Sequence, residues 1–264
     1  MARDILVSIM SDDDFARNWM SLLVVRDWRT RVVSEFTCSE DYLSFQSQCY
    51  QKVDFLLVDL DSYNEYPSLL DEIYVEENAQ SPTKLILLGS KFDANVIPKL
   101  NLDHLAGYLK KSEVSTSLTW AITYAMDGKR VFTQTMFDQA MLKGCRFEKP
   151  YIIVSSRTFP GLTERQSEIA RLAIIFSVGR RDLADELKVS DQWSYGMVSE
   201  LYNALGLEAL FSGTVNPYEY LNNDPVISTR LDDILAKLGS SKKAKDLEAL
   251  AFHLLTMPVI EEYL

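Results

Sequence analysis

Histidine is almost absent from the chain. His104 and His253 are the only two in 264 residues, which leaves histidine-based nucleophilic catalysis without support. Cysteine is scarce too. Cys38, Cys49 and Cys145 are odd in number and form no CxxC pair, against both a disulfide framework and a zinc site. No apolar run approaches the roughly 18 residues of a membrane span, and Met1-Ala2-Arg3-Asp4 does not open as a signal peptide. A cytoplasmic chain with no membrane partner is expected. Positive charge is in deficit, with 27 Lys and Arg against 38 Asp and Glu, a net charge of −11. That balance disfavours non-specific nucleic-acid binding by the chain as a whole and leaves room for one local basic face. What remains is ordinary globular material, 47% hydrophobic and 25% charged. At roughly 150 residues per domain the length suggests one large domain or two small ones.

Strand-like and helix-like patterns alternate along the first half. Asp4 to Met10 (DILVSIM) is a short apolar run that predicts a buried strand. Phe15, Trp19, Leu22 and Leu23 then recur at helical spacing, with Asp12 to Asp14 as cap and N-terminal negative charge. Arg31 to Phe36 predicts a second strand and Asp41 to Tyr50 a short helix. Asp54 to Leu60 (DFLLVDL) is continuous and apolar, as central parallel strands tend to be. Pro67 to Asn78 predicts a helix, Lys84 to Gly89 strand four, Phe92 to Leu100 a weak helix and Ala106 to Lys110 strand five. Ser115 to Asp127 predicts a helix closed by Gly128. Five strands alternating with helices make a doubly wound α/β parallel sheet, whose functional crevice lies at the carboxyl ends of the strands.

Polar residues converge at those ends. Asp12 and Asp13 follow strand one, Asp59 ends strand three, Ser90 follows strand four and Lys111 follows strand five. Clustered carboxylates suit a hard divalent cation, so Asp12, Asp13 and Asp59 are the candidate ligands for Mg2+. A lysine beside them can pair with a phosphoryl oxygen, and a carboxylate there can serve as nucleophile and become an aspartyl-phosphate.

Over residues 1–130 this constellation resembles the receiver domain of bacterial response regulators. The resemblance implies that Asp59 is the phospho-acceptor, that Lys111 in GYLKKS and Ser90 contact the phosphoryl group, and that Tyr108 is the switch aromatic. The sequence departs from the pattern at three places. Gly89 stands where the family has a hydroxyl, with Ser90 displaced by one residue. In SDDD the gapless register pairs Ser11 with Asp12 rather than two acids. The usual Pro-Gly turn after the acceptor is replaced by Asp61-Ser62-Tyr63-Asn64-Glu65. Weak or absent phosphorylation, as in a pseudo-receiver, is the expectation.

A linker is expected over 131–160, ending at Pro160-Gly161. Within it, Met136 to Leu142 suggests an extension of the preceding helix and Tyr151 to Val154 a short β-prone stretch. Beyond it, Thr163 with Gln166 three residues on has capping-box spacing, and Ile169, Leu172 and Ala173 form an apolar face. Arg180 to Lys188 predicts a second helix, and Ser190 caps a third that ends at Leu205-Gly206. Two helices, a short turn and a third helix form a helix-turn-helix arrangement.

LTERQSEIARL, LADELKVS and VSELYNALGL in this stretch resemble the LuxR-type (NarL/FixJ-type) output domain, with one inserted residue near Phe176 to Gly179. The resemblance implies transcriptional control through DNA, by an active dimer answering a sensor kinase or another protein partner. The DNA-facing residues would be Arg180, Arg181, Lys188, Gln192, Trp193 and Tyr195.

The charge on that face is unusual. From Val189 to Thr229 there is no Lys or Arg, while Asp191, Glu200, Glu208, Glu219 and Asp224 are acidic. Phosphate neutralisation supplies most non-specific affinity, so backbone contacts fall to Arg180, Arg181 and Lys188. Gly196, in mid-helix, costs about 1 kcal/mol relative to Ala. Trp193, Tyr195 and Met197 give the helix an aromatic, apolar surface of the kind enriched at protein interfaces, unless Trp193 and Met197 pack against the C-terminal extension.

The extension, 212–264, predicts two amphipathic helices. One is capped by Ser228 and carries Leu231, Ile234, Leu235 and Leu238; the other, Lys242 to Thr256, carries Leu247, Leu250, Ala251 and Leu254. The expected organisation is therefore a receiver-like domain (1–130), a linker (131–160), an all-α helix-turn-helix domain (161–211) and a helical C-terminal extension (212–264). The expected function is that of a non-enzymatic response regulator. An adaptor binding proteins through both domains is the alternative.

Overall fold

A computed structural model describes residues 4–48, 53–62, 83–96, 103–159, 161–216, 219, 221, 225–238 and 244–263. The chain divides into two compact units, residues 1–156 with 258–264, and Arg157–Met257.

The first unit is built on strands β1 (Ile5–Met10), β2 (Thr30–Phe36), β3 (Phe55–Asp59), β4 (Lys84–Gly89) and β5 (Leu105–Lys110). Helices α1 (Asp14–Arg26) and α2 (Ser39–Gln48) connect the first three. The expected helix over 67–78 lies outside the described residues. Of the one expected over 92–100, the described part, 92–96, is bend and turn. After β5 come a short helix α3 (Lys111–Val114), a single 3-10 turn and α4 (Leu118–Met126). Every residue of β3 is buried, as its unbroken apolar sequence requires of a central strand.

The five expected strands are present, but the sheet has eight. Residues expected to be linker instead form β6 (Val131–Thr133), helix α5 (Gln134–Leu142) and β7 (Tyr151–Ser156). The last strand, β8 (Pro258–Glu262), comes from what was expected to be helical extension. The order is β2-β1-β3-β4-β5-β6-β7-β8, with β8 antiparallel to β7 and all other pairings parallel. Gly107 makes the addition of β6 possible. It pairs with Val131, and a Cβ at Gly107 would stand 2.7 Å from the Val131 carbonyl oxygen, closer than real contacts permit. Phe132 and Ile152 then enter the same core as Leu56, Leu87 and Tyr108, which joins the added strands to the sheet.

The second unit begins with α6 (Glu164–Ala170), whose Thr163 and Gln166 form the expected capping box. The helix runs into a π-helical turn, Arg171–Ile175, in which Phe176 N donates to Arg171 O. A π-helical turn holds one more residue than an α-helical one, and it lies just before the stretch Phe176 to Gly179 where an inserted residue was expected. Helices α7 (Arg180–Leu187) and α8 (Asp191–Ala204) follow, joined through Lys188 in the left-handed conformation (φ 54°) and capped by Ser190. Gly206 (φ 65°) closes α8 and opens α9 (Leu207–Ser212).

Two further helices complete the unit, α10 (Pro225–Leu238) and α11 (Ala244–Leu255). Ser228 lies inside α10 rather than at its cap. Leu231, Ile234, Leu250 and Leu254 are fully buried. Helix α11 packs on the π-turn, on α9 and on α10, so the apolar faces find partners within the unit.

Candidate functional site

At the carboxyl end of β3, Asp59 is completely buried, and its carboxylate meets three donors. Lys111 Nζ lies 2.5 Å from Oδ1, the Asp61 amide donates to Oδ1 at 3.1 Å, and Ser11 Oγ donates to Oδ2 at 3.0 Å. Each partner comes from the end of a different element. Ser11 follows β1, Asp61 lies in the 3-10 turn after β3, and Lys111 opens α3 after β5. Parallel strands bring these ends into one crevice, which is why residues 48 and 52 positions from Asp59 reach it.

A second carboxylate shares the lysine. Asp61 Oδ2 lies 2.9 Å from Lys111 Nζ. Asp61 also accepts from the Ser90 amide, at 2.9 Å on each oxygen, and from Ser90 Oγ at 2.9 Å. Partial burial pushes the Asp61 pKa up, but the Ser90 amide, Lys111 and the Ser90 hydroxyl outweigh it and hold the carboxyl below its usual range. Burial likewise works to lower the Lys111 pKa, and hydrogen bonds to Asp59 and Asp61 raise it overall, so both partners stay charged at neutral pH.

The expected cation ligands are not brought together. Asp12 is exposed, and Asp13 is committed to α1, where Oδ1 accepts from the Phe15 amide at 2.8 Å and the Ala16 amide at 3.3 Å. The side chain facing Asp59 from β1 is the Ser11 hydroxyl, a donor to that carboxylate rather than a second anion. Among the described residues no three His, Cys, Asp or Glu side chains are grouped to hold a metal ion. Asp12, Asp13 and Asp59 therefore do not fit the expected Mg2+ site. Ser90 is present at the crevice, but both its polar groups serve Asp61 rather than Asp59. Ser11 and Asp61 are the residues that sequence reasoning missed as participants. The departures at SDDD and after DFLLVDL were the signals available for them.

Tyr108, the expected switch aromatic, is fully buried and stacks on Phe92 with ring centroids 5.4 Å apart. Its hydroxyl accepts from the Asp93 amide at 2.9 Å. Burial pushes the phenol up to about 12.

In the second unit the third helix of the helix-turn-helix presents Asp191, Gln192, Trp193, Tyr195, Gly196, Ser199 and Glu200 to solvent. Trp193 is 42% and Tyr195 60% exposed, so the C-terminal helices leave them uncovered, while Met197 is buried. Arg165 lies over the Trp193 ring at 5.2 Å. This cation on α6 was not expected at the face. Arg181 and Lys188 are exposed and Arg180 partly so. A shallow groove of about 370 Å³ runs along α8 between Ser190 and Glu200, lined by Gln192, Trp193, Gly196 and Met197. No helix among the described residues is long and apolar enough to cross a membrane.

No protein-family model matches the chain, and no curated protein does. Solved structures do. The chain is similar to the RcsB response regulator of Salmonella typhimurium, at 17% identity and a TM-score of 0.45 over 77% of this chain and 93% of that one. It is similar to the isolated REC domain of RcsB from Salmonella enterica serovar Typhimurium, at 18% identity and a TM-score of 0.44 over 52% of this chain and 98% of that one. It is also similar to the response regulator ChrA of a heme-sensing two-component system, at 16% identity and a TM-score of 0.41 over 77% and 90%.

Proposed function

We propose that the protein is an atypical response regulator that acts in transcriptional control, with a degenerate receiver in its first unit and a divergent LuxR-type helix-turn-helix in its second. The observation that carries this reading is the Asp59–Lys111 ion pair, formed at 2.5 Å between the ends of β3 and β5 with Asp59 wholly buried. A carboxylate held by a lysine at a strand-end crevice has the chemistry of a phosphoryl acceptor, but here it is wholly buried and both its oxygens already accept from donors. In phosphotransfer one Asp59 oxygen would attack phosphorus, the bond from phosphorus to the donor's leaving atom, a ring nitrogen for a phosphohistidine, would break with its electron pair on that atom, and Lys111 would offset the charge gained. That burial, Ser11 in place of an acid and Asp13 committed to the cap of α1 support slow or absent phosphotransfer. The protein is in this reading a non-enzymatic switch, dimeric when active, and its input is a sensor kinase or another protein.

DNA is the proposed output partner, contacted by Arg180, Arg181 and Lys188, with Gln192, Trp193 and Tyr195 at the bases. With so few cations, log affinity should fall with log salt at a slope on the order of −2 to −3. A salt-titrated binding assay with genomic fragments tests this. A slope near zero, or no binding at low salt, removes DNA from the reading. A second reading, an adaptor whose α8 grips a protein, is favoured by one observation: Arg165 stacks on an exposed Trp193 beside exposed Tyr195, on a helix that carries Asp191 and Glu200 and no Lys or Arg of its own.

A further inference from the structure

The Asp61 carboxylate has more donors than a surface acid needs. Its pair with Lys111 joins side chains 35% and 31% exposed, and such a pair is worth little alone. Around the same carboxylate, however, converge the Ser90 amide, the Ser90 hydroxyl and the lysine ammonium, all at 2.9 Å. A backbone N–H, a hydroxyl and an ammonium aimed at one point are the donor set that grips an oxyanion. Two of the donors are on Ser90, 29 residues along the chain from Asp61, and the third is on Lys111, after the next strand.

We propose that Lys111, the Ser90 amide and the Ser90 hydroxyl form an oxyanion site and that the Asp61 carboxylate is its resident anion, standing in for a phosphoryl group. The site's natural ligand class is a phosphate-like oxyanion, which the chain supplies from its own side chain. Lys111 bridges Asp61 to Asp59, so the arrangement that a phosphorylated Asp59 would impose on Lys111 and Ser90 exists without phosphotransfer. This inference rests on the reading of Asp59 as the acceptor position and specifies how that position is regulated.

The test is chemical rescue in the full chain. Asp61→Ala should melt roughly 3–6 °C below the parent. Inorganic phosphate should restore most of that loss saturably, acetate less, and chloride at equal ionic strength not at all. The parent, its site filled, should show no saturable response to phosphate. Asp61→Asn, which keeps the shape and the acceptor oxygen but not the charge, should melt between the two and respond weakly. An Asp61→Ala protein indifferent to phosphate overturns the proposal, as does a parent that responds equally well. Rescue should persist in Asp59→Asn/Asp61→Ala, because the three donors remain. Intact mass after acetyl phosphate treatment of the parent and of Asp61→Ala reports separately on Asp59. No covalent phosphate on either protein would discard the acceptor reading while leaving the oxyanion site to stand or fall on rescue.

Discussion

Ser11 Oγ donates to Asp59 Oδ2 at 3.0 Å, so the group facing the buried carboxylate from β1 is a neutral donor. A second carboxylate there would repel Asp59 and call for a cation between them; a hydroxyl needs none. Replacing Ser11 by Asp should therefore create the missing acid pair. In chelator, Ser11→Asp should lose about 1–3 kcal/mol of stability, because Asp59 loses a donor and gains a like charge. Magnesium should then raise its melting temperature selectively, with no effect on the parent. Thermal melts with and without the ion decide this, and a parent stabilised equally by magnesium would show that the crevice already holds the cation.

Asp27 and Arg29 form a buried ion pair that nothing in the sequence singled out. Arg29 Nε lies 2.9 Å from Asp27 Oδ1, Nη2 reaches Oδ2 at 2.5 Å, and the guanidinium lies 5.3 Å from the Trp120 ring centroid. Asp27 is fully buried and Arg29 nearly so. Removing one partner strands the other charge, and Asp27→Ala or Arg29→Met alone should cost about 3–5 kcal/mol. The double variant Asp27→Ala/Arg29→Met should lose less than the two single losses added together. Urea unfolding of the four proteins measures the coupling, and strict additivity would remove the pair from the account.

Tyr108 sets an alkaline limit on the first unit. Its phenol, pushed up to about 12 by burial, stays protonated in the folded chain where an unfolded tyrosine ionises near pH 10. The folded form binds the proton more tightly, so this contribution is complete below pH 10 and is lost as pH rises from 10 to 12. Denaturant midpoints measured over that range should fall more steeply for the parent than for Tyr108→Phe. Parallel slopes would mean that Tyr108 titrates normally.

Strand β8 covers the β7 edge, with Ile153 opposite Ile260 and Tyr263 against Phe137 at 4.9 Å. Ending the chain at Met257 should uncover that edge and the apolar side chains beneath it. Dye binding and light scattering should both rise, and the unfolding midpoint of the first unit should drop. A truncated protein that keeps the parent's oligomeric state, stays dye-silent and is equally stable would make β8 dispensable.

The sequence by itself determined the alternation of β1 to β5 with helices. It also determined the capping box at Thr163, the Ser190 cap and the amphipathic faces of α10 and α11. Those features depend on side chains within one or two turns of each other, and their spacing is written in the chain. It also located Asp59 and Lys111, because strand ends in a parallel sheet fall at one edge. Tertiary structure alone decided which donors reach Asp59. Asp13 could have faced the crevice or capped α1, and the free amides of Phe15 and Ala16 claimed it. Asp61 and Ser90 meet only because β3 and β4 are neighbours. The last strands were hidden for a different reason. Val131–Thr133 has only three residues, too short for a period to register, and it becomes a strand because Gly107 opens the β5 edge to it. Pairing between Tyr151–Ser156 and Pro258–Glu262 joins segments a hundred residues apart, and no local pattern encodes a partner at that distance.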